Sequence, residues 1–321
     1  MYKFLYNYLR NIKNKLKAYF FLRKYRKDTP QDCQKFYNRM RYLYIKEFKK
    51  RENFNLNLED IGCIKSLNKN GFLKINLNNV SNKKDFLNTI IKFREKFEYI
   101  RKNFNHEYSN HANHVNYLLN YNFEFNKDVK TIADPFVDIA TKYLGTLPIL
   151  DSFKLWYSPN DSNKLIGSQL LHRDPEDYKQ LKIFIPIDEI QIENGPLNVI
   201  NKDESKKLYE YLVSNNLTKT RNQKIDDKYV GALNITKNQL TLNNNECALV
   251  DTCACYHFGS RKSSKPRKLL FLHFTTAFSA KTPIFRNYDI EKKFVLEKDR
   301  LVYGLQKQNI NHYKKRQYLT I

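Results

Sequence analysis

The residues best suited to chemistry are His172 and Asp174, one residue apart in the segment SQLLHRDPEDYKQ, and His257, 83 residues after Asp174 in DTCACYHFGSRKS. Two imidazoles and one carboxylate can hold one face of an octahedral metal and leave three positions open. That arrangement suits non-haem Fe(II) and oxygen chemistry. In an extended segment, side chains at i and i+2 point to the same side, so His172 and Asp174 face one way and Arg173 the other. The third ligand must then come from a remote strand. A bare His-x-Asp triplet arises by chance, and context strengthens this one. An apolar run precedes it, a turn with Gly195 and Pro196 follows it, and His257 leads through a basic stretch into RKLLFLHFTTAF.

Further motifs extend the pattern: Lys182, ENGPL at 193–197, Asp251 with Thr252, HFGSR at 257–261, and Arg267. With these, residues 150–278 resemble the phytanoyl-CoA dioxygenase-like branch of the Fe(II)/2-oxoglutarate-dependent oxygenases. The resemblance implies a double-stranded β-helix, a jelly-roll-like core. It implies iron ligation by His172, Asp174 and His257, and capture of the distal carboxylate of 2-oxoglutarate by Arg267. Ser260 and Gln169 complete the implied co-substrate contacts. The implied reaction consumes O2, hydroxylates a small-molecule or lipid-like substrate and releases succinate and CO2. Relatives that halogenate lack the carboxylate ligand, so Asp174 favours hydroxylation. No feature of the chain specifies a CoA thioester.

Arg267 also has a physical warrant. Its guanidinium presents a rigid fork of donors that pairs bidentately with a carboxylate. Arg261 competes for the role. Strand alternation puts Arg267, Leu269, Phe271 and His273 on one face, whereas Arg261 lies in the loop-like GSRKSSKP, where it could close over a substrate.

The elements that position these residues divide at about residue 150. Beyond it come short apolar runs: SFKLWYS, SQLLHR, LKIFIPI, PLNVI, ALNITK, CALVDT and KLLFLHFTTAF. Many short strands separated by turns indicate a barrel or sandwich. An insertion from Asp203 to about Tyr229 interrupts them and begins as a helix. Before residue 150 helices dominate, with extended residues only around 72–77. Ser81 or Asn82 caps a helix running to about Phe104, and another covers Asp128 to Tyr143, ends at Gly145 and contains Pro135 as a kink. The fold class is therefore mainly β with flanking helices. Residues 56–321 form the catalytic domain, and residues 1–55 a basic helical extension.

The net charge of +24 is uneven, with 16 Lys and Arg against 3 Asp and Glu in residues 1–51. Phe4, Leu5, Tyr8, Leu9, Ile12, Leu16 and Phe20 form a helical stripe with Lys3, Arg10, Lys13 and Lys17 off it. Two readings stand: a helix packed on the catalytic domain or a partner, and peripheral membrane contact through residues 1–27. Nucleic acid is not an expected partner, because the Lys- and Asn-rich composition reflects general bias. No apolar run approaches the length needed to span a bilayer. The five cysteines make no disulfide framework, which fits a reducing cytoplasm and a ferrous enzyme. Cys253, Cys255 and His257 alternate as if along one strand. A zinc site there lacks a fourth ligand, so both thiols are read as core residues. His106, His111 and His114 are read as a polar helix surface. Two alternatives to catalysis remain, a jelly-roll that only binds a ligand and a membrane-surface protein acting through its basic helix.

Overall fold

A computed structural model describes residues 58–80, 84–103, 106–108, 117–119, 128–145, 148–159, 165, 167–177, 179–218, 223–261 and 263–275. The basic extension, His111, His114 and the stretch after Pro283 lie outside the described residues.

The described chain combines helices with antiparallel sheet. The strands are β1 (Phe72–Asn76), β2 (His106–Tyr108), β3 (Tyr117–Leu119), β4 (Ile149–Ser158), β5 (Leu181–Pro186), β6 (Leu197–Val199), β7 (Asn238–Leu240), β8 (Glu246–Val250), β9 (His257–Phe258) and β10 (Arg267–Thr275). Seven of them make one sheet in the order β1-β8-β5-β10-β4-β3-β2, and three make a second in the order β7-β6-β9.

Alternation along β10 builds two layers at once. Leu270, Leu272 and Phe274 pack into a core shared with helices, while Leu269 and Phe271 pack with Phe184, Ala248 and Val250 against Val199 and Leu240 of the small sheet. The two sheets therefore face each other across an apolar interior. A register shift between His273 and Phe274 leaves one extra residue on β4, because His273 lies opposite Ser152 and Phe274 opposite Leu150. This bulge re-aims Asp151 toward His273.

Helices cover the outer face of the large sheet. They are α1 (Leu58–Asn70), the single turn α2 (Leu77–Val80), α3 (Lys84–Asn103), α4 (Lys130–Ala133) and α5 (Val137–Leu144). On α3, Phe86, Ile90, Phe93, Phe97 and Ile100 recur at three- and four-residue spacing and are all buried. Each such side chain stabilises the fold by about 1.5–3 kcal/mol on burial. The helix expected over 128–143 is broken at Pro135, where a 3-10 turn, Asp134–Phe136, separates α4 from α5. Proline cannot donate to the helical ladder, and the tighter turn accommodates it. Gly145 ends α5 in the left-handed region at φ 70°, donating its N–H to the Thr141 carbonyl.

A third apolar cluster lies beyond the small sheet. Here α6 (Lys202–Ser214) and α7 (Lys228–Ala232) contribute Leu208, Leu212 and Val230 against Leu171, Tyr256 and Phe258. Asn201 caps α6: its side chain accepts from the Glu204 N–H and donates to the Glu204 carboxylate.

Three expected strands differ in the structure. Residues 232–237 are the end of α7 and a turn, with Asn234 at φ 50° and the Ile235 N–H bonded to the Val230 carbonyl. The alternation of Leu233 and Ile235 mimics a strand because both pack on the third cluster. SQLLHR is a 3-10 turn at Gly167–Gln169 followed by two isolated bridges. The stretch holding Cys253 and Cys255 is a turn, nucleated by Asp251, whose carboxylate accepts from the N–H groups of Cys253 and Ala254. Both thiols are buried and neither forms a disulfide.

Candidate metal centre

His172 and His257 are brought together by a two-residue antiparallel bridge. Each accepts the other's N–H at its carbonyl, at 3.1 and 2.9 Å. The Asp174 N–H continues the pairing by donating to the Thr252 carbonyl at 2.9 Å. The extended geometry expected of His172 and Asp174 is thus present, but only as this short pairing. Arg173 turns away as expected. Its Nε donates to the Cys253 carbonyl, and its guanidinium lies over the rings of Tyr209 and Tyr256.

Both imidazoles are oriented through the nitrogen that faces away from Asp174. His172 Nδ1 lies 2.6 Å from the Leu170 carbonyl and His257 Nδ1 lies 3.1 Å from the Cys255 carbonyl. A carbonyl only accepts, so each Nδ1 carries the hydrogen and each Nε2 presents a lone pair. These lone pairs converge on Asp174, with His172 Nε2 at 3.6 Å from Oδ1 and His257 Nε2 at 3.7 Å from Oδ2. One ligand atom from each of the three residues falls within 4.8 Å of the others. Donors about 2.1 Å from a shared cation lie about 3–4 Å apart, so two neutral imidazoles and one carboxylate fit a divalent ion here.

The electrostatics keep Asp174 and His257 deprotonated. Burial alone would raise the Asp174 carboxyl, but Lys182, His257 and His172 overcome it and hold it well below the usual carboxylate range. Burial, reinforced by His172, pushes the His257 imidazole down to about 4. Lys182 Nζ lies 2.5 Å from Asp174 Oδ2. Burial would lower its pKa, but Asp174 and Glu176 raise it, so it stays charged.

A buried polar chain continues from the same carboxylate. Gln180 Nε2 donates to Asp174 Oδ2 at 3.3 Å and lies 2.6 Å from Thr252 Oγ1, while its Oε1 meets His273 Nε2 at 2.8 Å. His273 Nδ1 then lies 3.3 Å from Asp151 Oδ2. His273 was visible in the alternation of β10. Gln180 and Asp151 carried no signal in the sequence, because the turn before β5 and the β4 bulge place them.

Arg267 occupies a separate buried cradle. Its Nη1 donates to the Gly195 carbonyl at 3.1 Å, and its Nη2 donates to Ser260 Oγ at 2.7 Å and reaches Ser158 Oγ at 3.5 Å. Its Nε has no hydrogen-bond partner. Among the described residues no carboxylate pairs with this guanidinium, and burial pushes it down to about 10. A Cβ on Gly259 would stand 2.8 Å from its Nη1, so the guanidinium lies directly on that backbone. Ser260, which holds Arg267, is three residues beyond His257, a span of at most about 10 Å of chain.

Arg261 is engaged elsewhere. It forms a two-pronged pair with Asp227 at 2.6 and 3.2 Å, donates from Nε to the Gln169 carbonyl and stacks 3.5 Å over Phe258. It pins the insertion before α7 to the turn that precedes His172. Gln169 lies in that turn and donates to the Ser260 carbonyl at 2.5 Å. The structure thus brings His172, Asp174 and His257 together, sets Ser260 against Arg267, and joins Gln169 to Ser260 through the backbone.

No helix among the described residues is long and apolar enough to cross a membrane. No protein-family model matches the chain. No curated protein matches it. Among solved structures, the chain is similar to the epimerase SnoN in complex with Fe3+, alpha ketoglutarate and nogalamycin RO, at 10% identity over 77% of this chain and 94% of that chain, with a TM-score of 0.47. It is similar to the non-heme alpha ketoglutarate dependent carbocyclase SnoK from nogalamycin biosynthesis, at 13% identity over 70% and 85% of the two chains and a TM-score of 0.46. It is also similar to EctD from S. alaskensis with 2-oxoglutarate and 5-hydroxyectoine, at 12% identity over 71% and 80% and a TM-score of 0.43.

Proposed function

We propose that this chain is a non-haem Fe(II)- and 2-oxoglutarate-dependent dioxygenase that hydroxylates a small-molecule substrate. The facing sheets are read as the walls of a double-stranded β-helix. The observation that carries the proposal is the convergence of two imidazole lone pairs and one carboxylate on a single point. A second observation narrows the co-substrate: a buried guanidinium with no acidic partner among the described residues is held by Ser260, three residues beyond His257. A desolvated cation of this kind is stabilised by an incoming carboxylate.

The chain's own residues divide the work. His172, Asp174 and His257 hold the metal, with each imidazole fixed by its Nδ1–H to a carbonyl. Arg267 takes the distal carboxylate of 2-oxoglutarate, steered by Ser260 and the Gly195 carbonyl. Gln169 contributes indirectly, by holding the Ser260 backbone. Leu269, Phe271 and Phe184 pack between the sheets and exclude water from the interior. Bound ferrous iron supplies the redox chemistry that couples decarboxylation of 2-oxoglutarate by O2 to oxidation of a substrate C–H bond, with succinate and CO2 released.

Anaerobic addition of Fe(II) and then 2-oxoglutarate, followed by absorbance, tests the assignment. A charge-transfer band is expected, and admitting oxygen then yields succinate, faster with a suitable lipid, sugar or amino acid present. Asp174→Ala abolishes both. An iron-loaded Asp174→Ala protein that still couples 2-oxoglutarate decay to substrate oxidation refutes the ligand set.

A further inference from the structure

A centre of two imidazoles and one carboxylate does not require Lys182, yet this ammonium sits on its only carboxylate. Leu181 and Ile183 pack toward the helices, so Lys182 projects between the sheets, where it lies opposite His273 and Val250 and 5.7 Å over the Phe271 ring. Its Nζ meets Asp174 Oδ2 at 2.5 Å, and Gln180 Nε2 meets the same oxygen at 3.3 Å. Gln180 cannot turn its amide round without loss. Its Oε1 is engaged by His273 Nε2 at 2.8 Å, and a reversed amide would face the carboxylate with a second acceptor. Asp174 Oδ1 has neither donor and looks toward His172 Nε2 at 3.6 Å, while Oδ2, which carries both donors, looks toward His257 Nε2 at 3.7 Å.

Resting on the proposed metal centre, we infer that Lys182 is a positioning residue with two separable effects. As a donor, together with Gln180, it reserves Oδ2 and presents Oδ1 alone to the metal. A carboxylate that binds through one oxygen leaves three coordination positions open, the number needed by a chelating keto acid and O2 together. Two-oxygen binding would leave two. As a fixed positive charge beside the cation, Lys182 also weakens metal retention.

The test uses the full chain and four proteins: wild type, Lys182→Gln, Lys182→Met and Lys182→Arg, each checked for folding by urea midpoint. Co(II) affinity reads the charge effect. Lys182→Gln and Lys182→Met are expected to bind Co(II) about tenfold more tightly or better, and Lys182→Arg to match wild type. Water-proton relaxation of the Mn(II) complex reads the donor effect. Lys182→Gln keeps a donor and the wild-type relaxivity. Lys182→Met leaves Oδ2 only the weaker 3.3 Å contact from Gln180, so that it displaces one of three waters and lowers the relaxivity by about a third. Unchanged or weaker Co(II) binding by folded Lys182→Gln overturns the charge effect, and unchanged relaxivity in Lys182→Met overturns the donor effect. A wild-type protein that binds neither ion overturns the metal centre itself, which is a distinct outcome. If Lys182→Met fails to fold, the Gln and Arg pair still decides the charge effect, and Lys182→Leu, which also lacks a donor, replaces it for the relaxivity.

Discussion

Gly259 lies between a candidate iron ligand and the loop leading to Arg267, and replacing it with Ala perturbs the guanidinium without touching its charge. The added methyl would stand 2.8 Å from Arg267 Nη1, 3.2 Å from Nη2 and 3.4 Å from Cζ. Contacts that short cannot persist, so the guanidinium must slide off the backbone. It is the far end of a flexible side chain, and Gly259 has no positive φ, so the fold survives the change. Movement strains the bonds to Ser260 Oγ and the Gly195 carbonyl, at 2.7 and 3.1 Å. Spoiling one arm of a two-pronged bond to a carboxylate costs about 1.5–3 kcal/mol. That corresponds to about ten- to hundredfold weaker 2-oxoglutarate binding. Anaerobic titration of the Fe(II) protein with 2-oxoglutarate reads the loss, and Co(II) titration without the keto acid is the control, expected to be unchanged. Wild-type affinity for 2-oxoglutarate in folded Gly259→Ala would refute the assignment of Arg267. Parallel losses of metal and keto-acid binding would mean that the methyl acts on His257 instead.

The neutral state of His257 predicts how stability varies with acid. Its folded pKa of about 4 lies below the ordinary histidine value of 6.5, so the unfolded chain binds the extra proton between those limits. Metal-free protein should therefore lose stability as pH falls from about 6.5 to about 4, by a total on the order of 3 kcal/mol. The depressed Asp174 adds its own loss only below the ordinary carboxylate range. A urea midpoint that stays flat from pH 6.5 to 4.5 contradicts the buried neutral imidazole. Gly71→Ala tests the turn into β1. At φ 80° its Cβ would stand 2.3 Å from Cys255 Sγ, so a loss of about 2–4 kcal/mol in chemical denaturation is expected. Relief of that loss by Cys255→Ala would locate the strain, and an unchanged midpoint in Gly71→Ala would disprove it.

Local pattern carried what could be read without the fold. The i, i+2 spacing of His172 and Asp174 set their common direction, and a pairing of only a few residues was enough to realise it. Period-2 alternation in β10 separated Arg267, Leu269, Phe271 and His273 from the face that meets the helices. The same reading failed at residues 232–237, where alternation arose from packing against α6 and α7. Proline and glycine punctuated the helix over 128–145 as their backbone chemistry requires. Tertiary structure alone decided the rest. It separated the surroundings of two arginines, because Asp227 pairs with Arg261 and no described acid reaches Arg267. It fixed the tautomer of each imidazole through a backbone carbonyl, assigned Asp174 Oδ2 to Lys182 and Gln180, and put Asp151 beside His273 by means of one bulged residue. Each of these depends on which remote atoms meet when the chain closes. Periodicity records the side to which a residue points, and it holds no information about what waits there.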